Sequence, residues 1–252
     1  MELGLEGKVV IVTGGGAGIG AAIVAELVTH KALPVILDKS DPQEHDPSTE
    51  WISVDLTDDD GCRTAVSKVM SRFGKIDGLV NNAGINDAVG LEAGPNAFRA
   101  SLEQNLVHYY TMMHLCASEL QKRQGAIVNI SSKVALTGQG GTSAYAAAKG
   151  GALAMTREWA AELATDGVRV NCVVPGETMT PMYRAWLNRF ENPDEKLARI
   201  VRTIPLSARM TKPEEIATSV VFLLSDWAGH TTGQALVVDG GYSHLDRALT
   251  SD

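Results

Sequence analysis

The chain has 252 residues, and its apolar fraction of 44% is enough to build a substantial core. The formal net charge is −8 and lysines and arginines nowhere cluster, which argues against nucleic acid or an anionic membrane as a partner. Cys62, Cys116 and Cys172 are isolated, odd in number and set in apolar runs, so they read as reduced core thiols without metal-ligand spacing. The first residues carry no apolar signal region and no apolar run approaches the roughly 20 residues of a membrane span; a soluble, cytoplasmic protein is expected.

Short β-branched runs alternate with longer segments of helical period, the pattern of a parallel sheet with crossover helices. The first strand is predicted at Val9–Thr13 and leads into Thr13-Gly-Gly-Gly-Ala-Gly-Ile-Gly20 and a helix over Ile19–His30. In that strand–turn–helix setting Gly14, Gly16, Ala17, Gly18 and Ile19 form a candidate phosphate cradle, with the helix N-terminus offering free N–H groups. The spacing is Gly-x-x-x-Gly-x-Gly, not Gly-x-Gly-x-x-Gly, so the alternative of a glycine-rich surface turn stays open.

A second strand, Pro34–Leu37, is followed by Asp38, 18 residues after Gly20 and close to the offset at which a carboxylate meets an adenosine ribose. Such a carboxylate accepts from the ribose hydroxyls and repels a 2′-phosphate, which favours NAD over NADP; the adjacent Lys39 works against that preference or faces solvent. The third strand, Trp51–Val54, ends at Asp55-Leu56, where Asp55 is a candidate for the adenine edge or a turn aspartate ahead of Thr57. A helix over Asp58–Phe73, a strand Gly78–Asn81, a long helix over Ala97–Lys122 and a strand Ala126–Ile130 follow.

Ser132 lies just past that strand, and Tyr145 and Lys149 stand four residues apart on a predicted helix, Ala144–Thr165. At that spacing two side chains share a helix face, so an ammonium beside the phenol is expected to lower its pKa and fit it for acid/base work. The chain continues with a strand Arg169–Val174, a mixed segment partly helical over Thr180–Thr203, a helix Pro213–Leu224 and a strand Ala235–Val238. Residues 178–208 interrupt the alternation and are expected to form a small lid. The whole, residues 1–252, reads as one α/β domain, a Rossmann-type, doubly wound, parallel sheet of seven strands flanked by helices.

The ordered set Thr13-Gly-x-x-x-Gly-x-Gly20, Asn81-Asn-Ala-Gly84, Asn105, Ile130-Ser-Ser132, Tyr145-x-x-x-Lys149, Pro175-Gly176 and Val238-Asp-Gly-Gly241 resembles the short-chain dehydrogenase/reductases over the length of the chain. The resemblance implies that Tyr145 exchanges the proton with the substrate oxygen and that Ser132 hydrogen-bonds the same oxygen. It implies that Lys149 lowers the tyrosine pKa and holds the nicotinamide ribose, and that Asn105 anchors a water linking Lys149 to solvent. Asn81, Ala83 and Gly84 then line the adenosine-ribose side. Pro175, Gly176 and Thr178 meet the nicotinamide carboxamide, Thr180 the phosphates, and Leu56 lies beside Asp55 at the adenine. The cofactor performs the redox step, and the residues manage one proton.

Substrate residues fall in the variable segments: Asn86 and Asp87, Lys133, Gln139 and Thr142, Glu177, and Tyr183 and Trp186 in the lid. Carboxylate, amide and lysine groups beside an aromatic platform suit a polyhydroxylated ligand better than an acyl chain or a sterol. The segments Asn82–Asp87, Ser131–Gly140, Thr180–Trp186 and the ending Gly241–Leu249 resemble the bacterial L-fucose dehydrogenases, a group within the family that oxidises an anomeric hydroxyl to a lactone. Relatives of that group acting on 2-keto-3-deoxy-L-fuconate, 17β-hydroxysteroid-type dehydrogenases, ketoacyl reductases and non-catalytic NAD sensors are the alternatives. Apolar residues on several faces of the two long helices (Tyr109, Tyr110, Met112, Met113, Leu153, Met155, Trp159) match the family's helical dimer contact, and a homotetramer is expected. The tail Tyr242–Arg247 is expected to reach a neighbouring pocket.

Overall fold

A computed structural model describes residues 2–42 and 46–246. Seven strands run Val9–Thr13 (β1), Leu33–Asp38 (β2), Glu50–Ser53 (β3), Gly78–Asn81 (β4), Ala126–Ile130 (β5), Arg169–Pro175 (β6) and Ala235–Val238 (β7). They form one sheet in the order β3-β2-β1-β4-β5-β6-β7 with every neighbouring pair parallel. β1, β4 and β5 are buried at every position, as a sheet covered on both faces requires. Alternate residues go to opposite layers: Val9, Ile11, Val35 and Leu37 to one core, Val10, Val12 and Ile36 to the other. The first core is closed by the helices Asp59–Phe73 (α2), His108–Arg123 (α4) and Ser143–Leu163 (α6), the second by Gly18–Thr29 (α1) and Pro213–Leu224 (α9).

The strand order reverses between β1 and β4, so a crevice opens at their carboxyl ends, where ligands of open α/β sheets bind. The segment expected as one helix over 97–122 is helical throughout but changes pitch. It runs as Gly94–Leu102 (α3), a π turn over Glu103–Val107, and α4. The wider turn admits one extra residue and lets Asn105 face inward, fully buried. After a single turn at Val134–Thr137 (α5), the segment expected as a lid holds two short helices, Pro181–Leu187 (α7) and Pro193–Val201 (α8). Each starts on a proline, with Thr180 and Asn192 as side-chain caps.

The residues expected to form an interhelical dimer face serve mainly this chain's own core. Tyr109, Met112, Met113, Leu153 and Trp159 are buried in the monomer, Met155 packs against the same core, and Tyr110 alone of that set is exposed. The helix pattern had more than one apolar face because one of them faces the sheet. The three cysteines are buried free thiols, pushed up by burial to about 11 for Cys62 and about 12 for Cys116 and Cys172. No helix among the described residues is long and apolar enough to cross a membrane, and no cluster there could hold a metal ion. Residues 247–249 of the tail and of the ending noted above lie outside the described residues.

Candidate active site

The glycine turn is shaped by close approach. At Gly20 a Cβ would stand 2.0 Å from the Gly14 carbonyl oxygen, and at Gly14 (φ +64) it would stand 2.9 Å from Ala83 Cα. α1 begins at Ala17 with no side-chain cap, so its first N–H groups remain open to a ligand. Gly18 faces the lid, with Thr180 3.3 Å from where its Cβ would be. The turn is held by two motif residues to which the sequence reading gave no role. Asn82 donates from its side chain to the carbonyls of Thr13 (3.0 Å) and Gly14 (3.1 Å), and the Thr13 hydroxyl accepts from the N–H groups of Asn82 (2.9 Å) and Ala83 (3.2 Å). Asn81, by contrast, is fully buried and donates to Asn129 at 2.9 Å.

Asp38 ends β2 and accepts from the N–H groups of Gly16 (3.1 Å) and Ser40 (3.2 Å), which aims its carboxylate at the turn. Lys39 turns away and pairs with Asp55 at 2.9 Å. Asp55 also accepts from the Thr57 backbone (3.0 Å) and hydroxyl (2.8 Å), and Lys39 first, then Thr57, holds its carboxyl down at about 2. Leu56 is buried beside it. An uncapped helix N-terminus, a cradle free of Cβ atoms and a carboxylate at the end of β2 fit a dinucleotide.

At the end of β5 and on α6 the sequence-predicted residues converge. The Ser132 hydroxyl hydrogen-bonds the Tyr145 phenol. Ser131 donates to the Lys149 carbonyl at 2.7 Å, tying α6 to the strand end. Lys149 is buried, with its ammonium 5.7 Å from the Tyr145 ring centre. Asn105 accepts from the Ile85 N–H at 2.7 Å and donates to the Ser101 carbonyl at 2.9 Å. A Cβ on Gly84 would meet Asn105 Oδ1 at 2.9 Å and Lys149 Nζ at 3.3 Å, so the loop after β4 passes close to both.

The charge balance corrects the expectation that Lys149 lowers the phenol. Tyr145 keeps part of its surface open, but burial pushes its phenol up to about 12, against the Ser132 hydrogen bond and with help from the Glu177 charge. Lys149 itself is driven down to about 8 by burial. Its ammonium hydrogen-bonds Tyr109 at 2.8 Å and the Ile130 carbonyl at 3.0 Å, away from the Tyr145 oxygen.

In front of Tyr145, β6 continues through Pro175-Gly176 to Glu177, which pairs with Lys133 at 2.8 Å; both side chains are largely buried. Lys133 also lies over the Tyr242 ring, 4.4 Å from its centre. Tyr183 hydrogen-bonds Glu177, and burial first, then the Glu177 charge, raises its phenol far above the usual range. Trp186 meets Tyr183 edge-on at 5.2 Å and continues the aromatic row to Phe190. Thr178 bridges to Thr211, and Thr142 is buried at the start of α6. Gln139 and Asn86 are exposed on their loops, while Asp87 buries one carboxylate oxygen without a partner among the described residues. Tyr242 is the pocket residue that sequence reading placed elsewhere, because nothing in the pattern brings the tail over Lys133.

A family model described as enoyl-(acyl carrier protein) reductase matches residues 14–243. L-fucose dehydrogenase of Bos taurus is 40% identical over 242 residues, covering 93% of this chain and 89% of that protein. The chain belongs to the short-chain dehydrogenase/reductases. A 3-oxoacyl-[acyl-carrier-protein] reductase of Thermotoga maritima is 35% identical over 252 residues, covering 94% of this chain and 98% of that one. Among solved structures of the family, Cj0485 dehydrogenase superposes with a TM-score of 0.97 at 46% identity over the whole of both chains. Thermoplasma acidophilum aldohexose dehydrogenase superposes at 0.92 and 31% identity over 98% of each. As a short-chain dehydrogenase/reductase, the chain is an oxidoreductase acting on CH–OH groups.

Proposed function

We propose that the chain oxidises the anomeric hydroxyl of L-fucose or a related aldose to the lactone, with NAD as cofactor and Tyr145 as general base. The observation that carries this reading is the buried Lys133–Glu177 pair with the Tyr183 hydroxyl, a polar wall next to Tyr145. A neutral polyol finds acceptors and donors there. A carboxylate or phosphate finds a lysine whose charge is already matched, and an acyl chain finds unfavourable polar contacts. Relatives named L-fucose dehydrogenase and a structural neighbour named aldohexose dehydrogenase support the same choice.

The glycine turn, Asp38 and the loop Asn81–Gly84 would hold the dinucleotide, with Pro175, Gly176 and Thr178 at its nicotinamide end and Thr180 near the phosphates. Asp38 favours NAD because a second negative charge on the ribose would face its carboxylate. When bound, the cofactor accepts the hydride that leaves the carbinol carbon. Tyr145 takes the hydroxyl proton, and Ser132 donates to the same oxygen as its bond to carbon gains double-bond character. Lys149 and the water-anchoring Asn105 pass the proton onward to solvent.

Initial rates with L-fucose, L-galactose, D-arabinose, 2-keto-3-deoxy-L-fuconate, an estradiol and acetoacetyl-CoA, each with NAD(H) and NADP(H), test the reading. The expected outcome is turnover of the neutral aldoses with NAD, with L-fucose best. No turnover of any aldose with either cofactor would sink it. The family model and the Thermotoga relative keep a second reading, reduction of an acyl-carrier-linked ketoacid, and turnover of acetoacetyl-CoA alone would establish that one.

A further inference from the structure

Tyr109 reads from sequence as part of an apolar helix face, yet its phenol ends inside the active site. It is fully buried on α4, and its hydroxyl donates to the Ile130 carbonyl at 2.9 Å. The same hydroxyl accepts from Lys149 Nζ at 2.8 Å, while Nζ also donates to the Ile130 carbonyl at 3.0 Å. The three contacts close a triangle. The ammonium stands 4.9 Å from the centre of the Tyr109 ring, so the ring also shields it. An ammonium has three N–H donors, of which two are thereby committed. Lys149 also lies against Gly84, beside Asn105, as the close approach of a Cβ there shows.

The surroundings make that hold consequential. The titratable groups facing Lys149 are Tyr145 on its own helix, His108 and Tyr109 on α4, and Cys172 on β6. Burial first, then the Lys149 charge, drives His108 down to about 3, so it stays neutral. Cys172 and Tyr109 are raised by burial and stay protonated. Among the described residues no carboxylate acts on the ammonium, which leaves neutral acceptors to stabilise its charge.

We propose that Tyr109 is a second, non-reacting tyrosine of the site, a positioning residue that clamps Lys149 against the Ile130 carbonyl and leaves one N–H for the proton path to Tyr145. It rests on Lys149 serving that path. Tyr109→Phe removes one oxygen and keeps the ring, so the core stays packed. In cofactor-free protein, the Lys149 ammonium followed by NMR of isotope-labelled lysine should titrate at lower pH in Tyr109→Phe than in wild type. On the alcohol that wild type oxidises fastest, kcat should fall about tenfold, the effect of roughly 1.4 kcal/mol, with substrate KM within twofold. An unchanged lysine titration overturns the proposal, and so does a shifted titration with kcat intact. A lower Tm with titration and kcat both retained marks Tyr109 as packing only. Should Tyr109→Phe not fold, 3-fluorotyrosine at position 109 weakens the phenol as an acceptor with only a small increase in volume, and the same two readouts decide. The lysine titration needs no substrate, so it stands even if the aldose panel fails.

Discussion

Lys133, Lys149 and Glu177 surround Tyr145, and Glu177 is the negative charge among them that raises its phenol. A carboxylate opposes the phenolate, so Glu177→Gln should let Tyr145 lose its proton at lower pH. In the oxidation direction, the rising limb of kcat/KM against pH is expected to move towards acid, with KM for the aldose raised about tenfold as an acceptor is lost. Rates measured across a pH series check both. A limb that stays in place would mean that Glu177 does not face the phenol in solution. Tyr145 and Lys149 were legible because their spacing puts them on one helix face, whereas Ser132 and Asn105 were reached only through the family resemblance. The contacts of Asn82, Thr13, Tyr109 and Tyr242 were not legible, since each joins distant segments, such as Tyr109 with Lys149. The depressed phenol expected from the Tyr145–Lys149 spacing failed for the same reason: burial is a property of the folded surroundings.

Between elements, Asp77 joins β1, β4 and α4. Its carboxylate accepts from the Val9 N–H at 2.9 Å and pairs with Arg123 at 2.9 Å and Lys75 at 3.1 Å. Burial works against its ionisation, but those three partners together outweigh it and hold the carboxyl below the usual value of 3.8. A carboxylate depressed in the folded state contributes stability that is present above that value and lost as pH falls through the lower folded one. Asp77→Asn keeps one oxygen acceptor but removes the charge that Arg123 and Lys75 pair with, and should cost about 2 kcal/mol at pH 7. Urea unfolding should show that deficit at neutral pH and a smaller one as the pH drops to where wild type also protonates. Strand positions were legible at this scale because β-branched runs between turns mark β1, β4, β5 and β7. The π turn at Glu103–Val107 was not, since one extra residue leaves the apolar pattern of a long helix nearly unchanged.

At the scale of the whole molecule, Tyr110, Phe222, Trp227 and Leu236 leave apolar surface open on the helices and on the last strand. With the interior face of α4 already used, these residues are where copies of the chain would meet. A tetramer is predicted, and light scattering at micromolar concentration checks it; a monomer at that concentration would overturn it. The doubly wound sheet was legible from the alternation of runs, while the substrate was not, because it is set by side chains on loops. The last strand also fixes the order in which the site becomes whole. Gly176 donates to the Val238 carbonyl at 3.0 Å, and Leu206 donates to the Gly240 carbonyl at 2.9 Å, so residues near the end of the described chain brace the loop after β6 and the segment that follows α8. During synthesis the glycine turn and the Tyr145 helix emerge long before that brace. A nascent chain therefore carries Tyr145 and the glycine turn before the strand that braces the loop after β6 has been made.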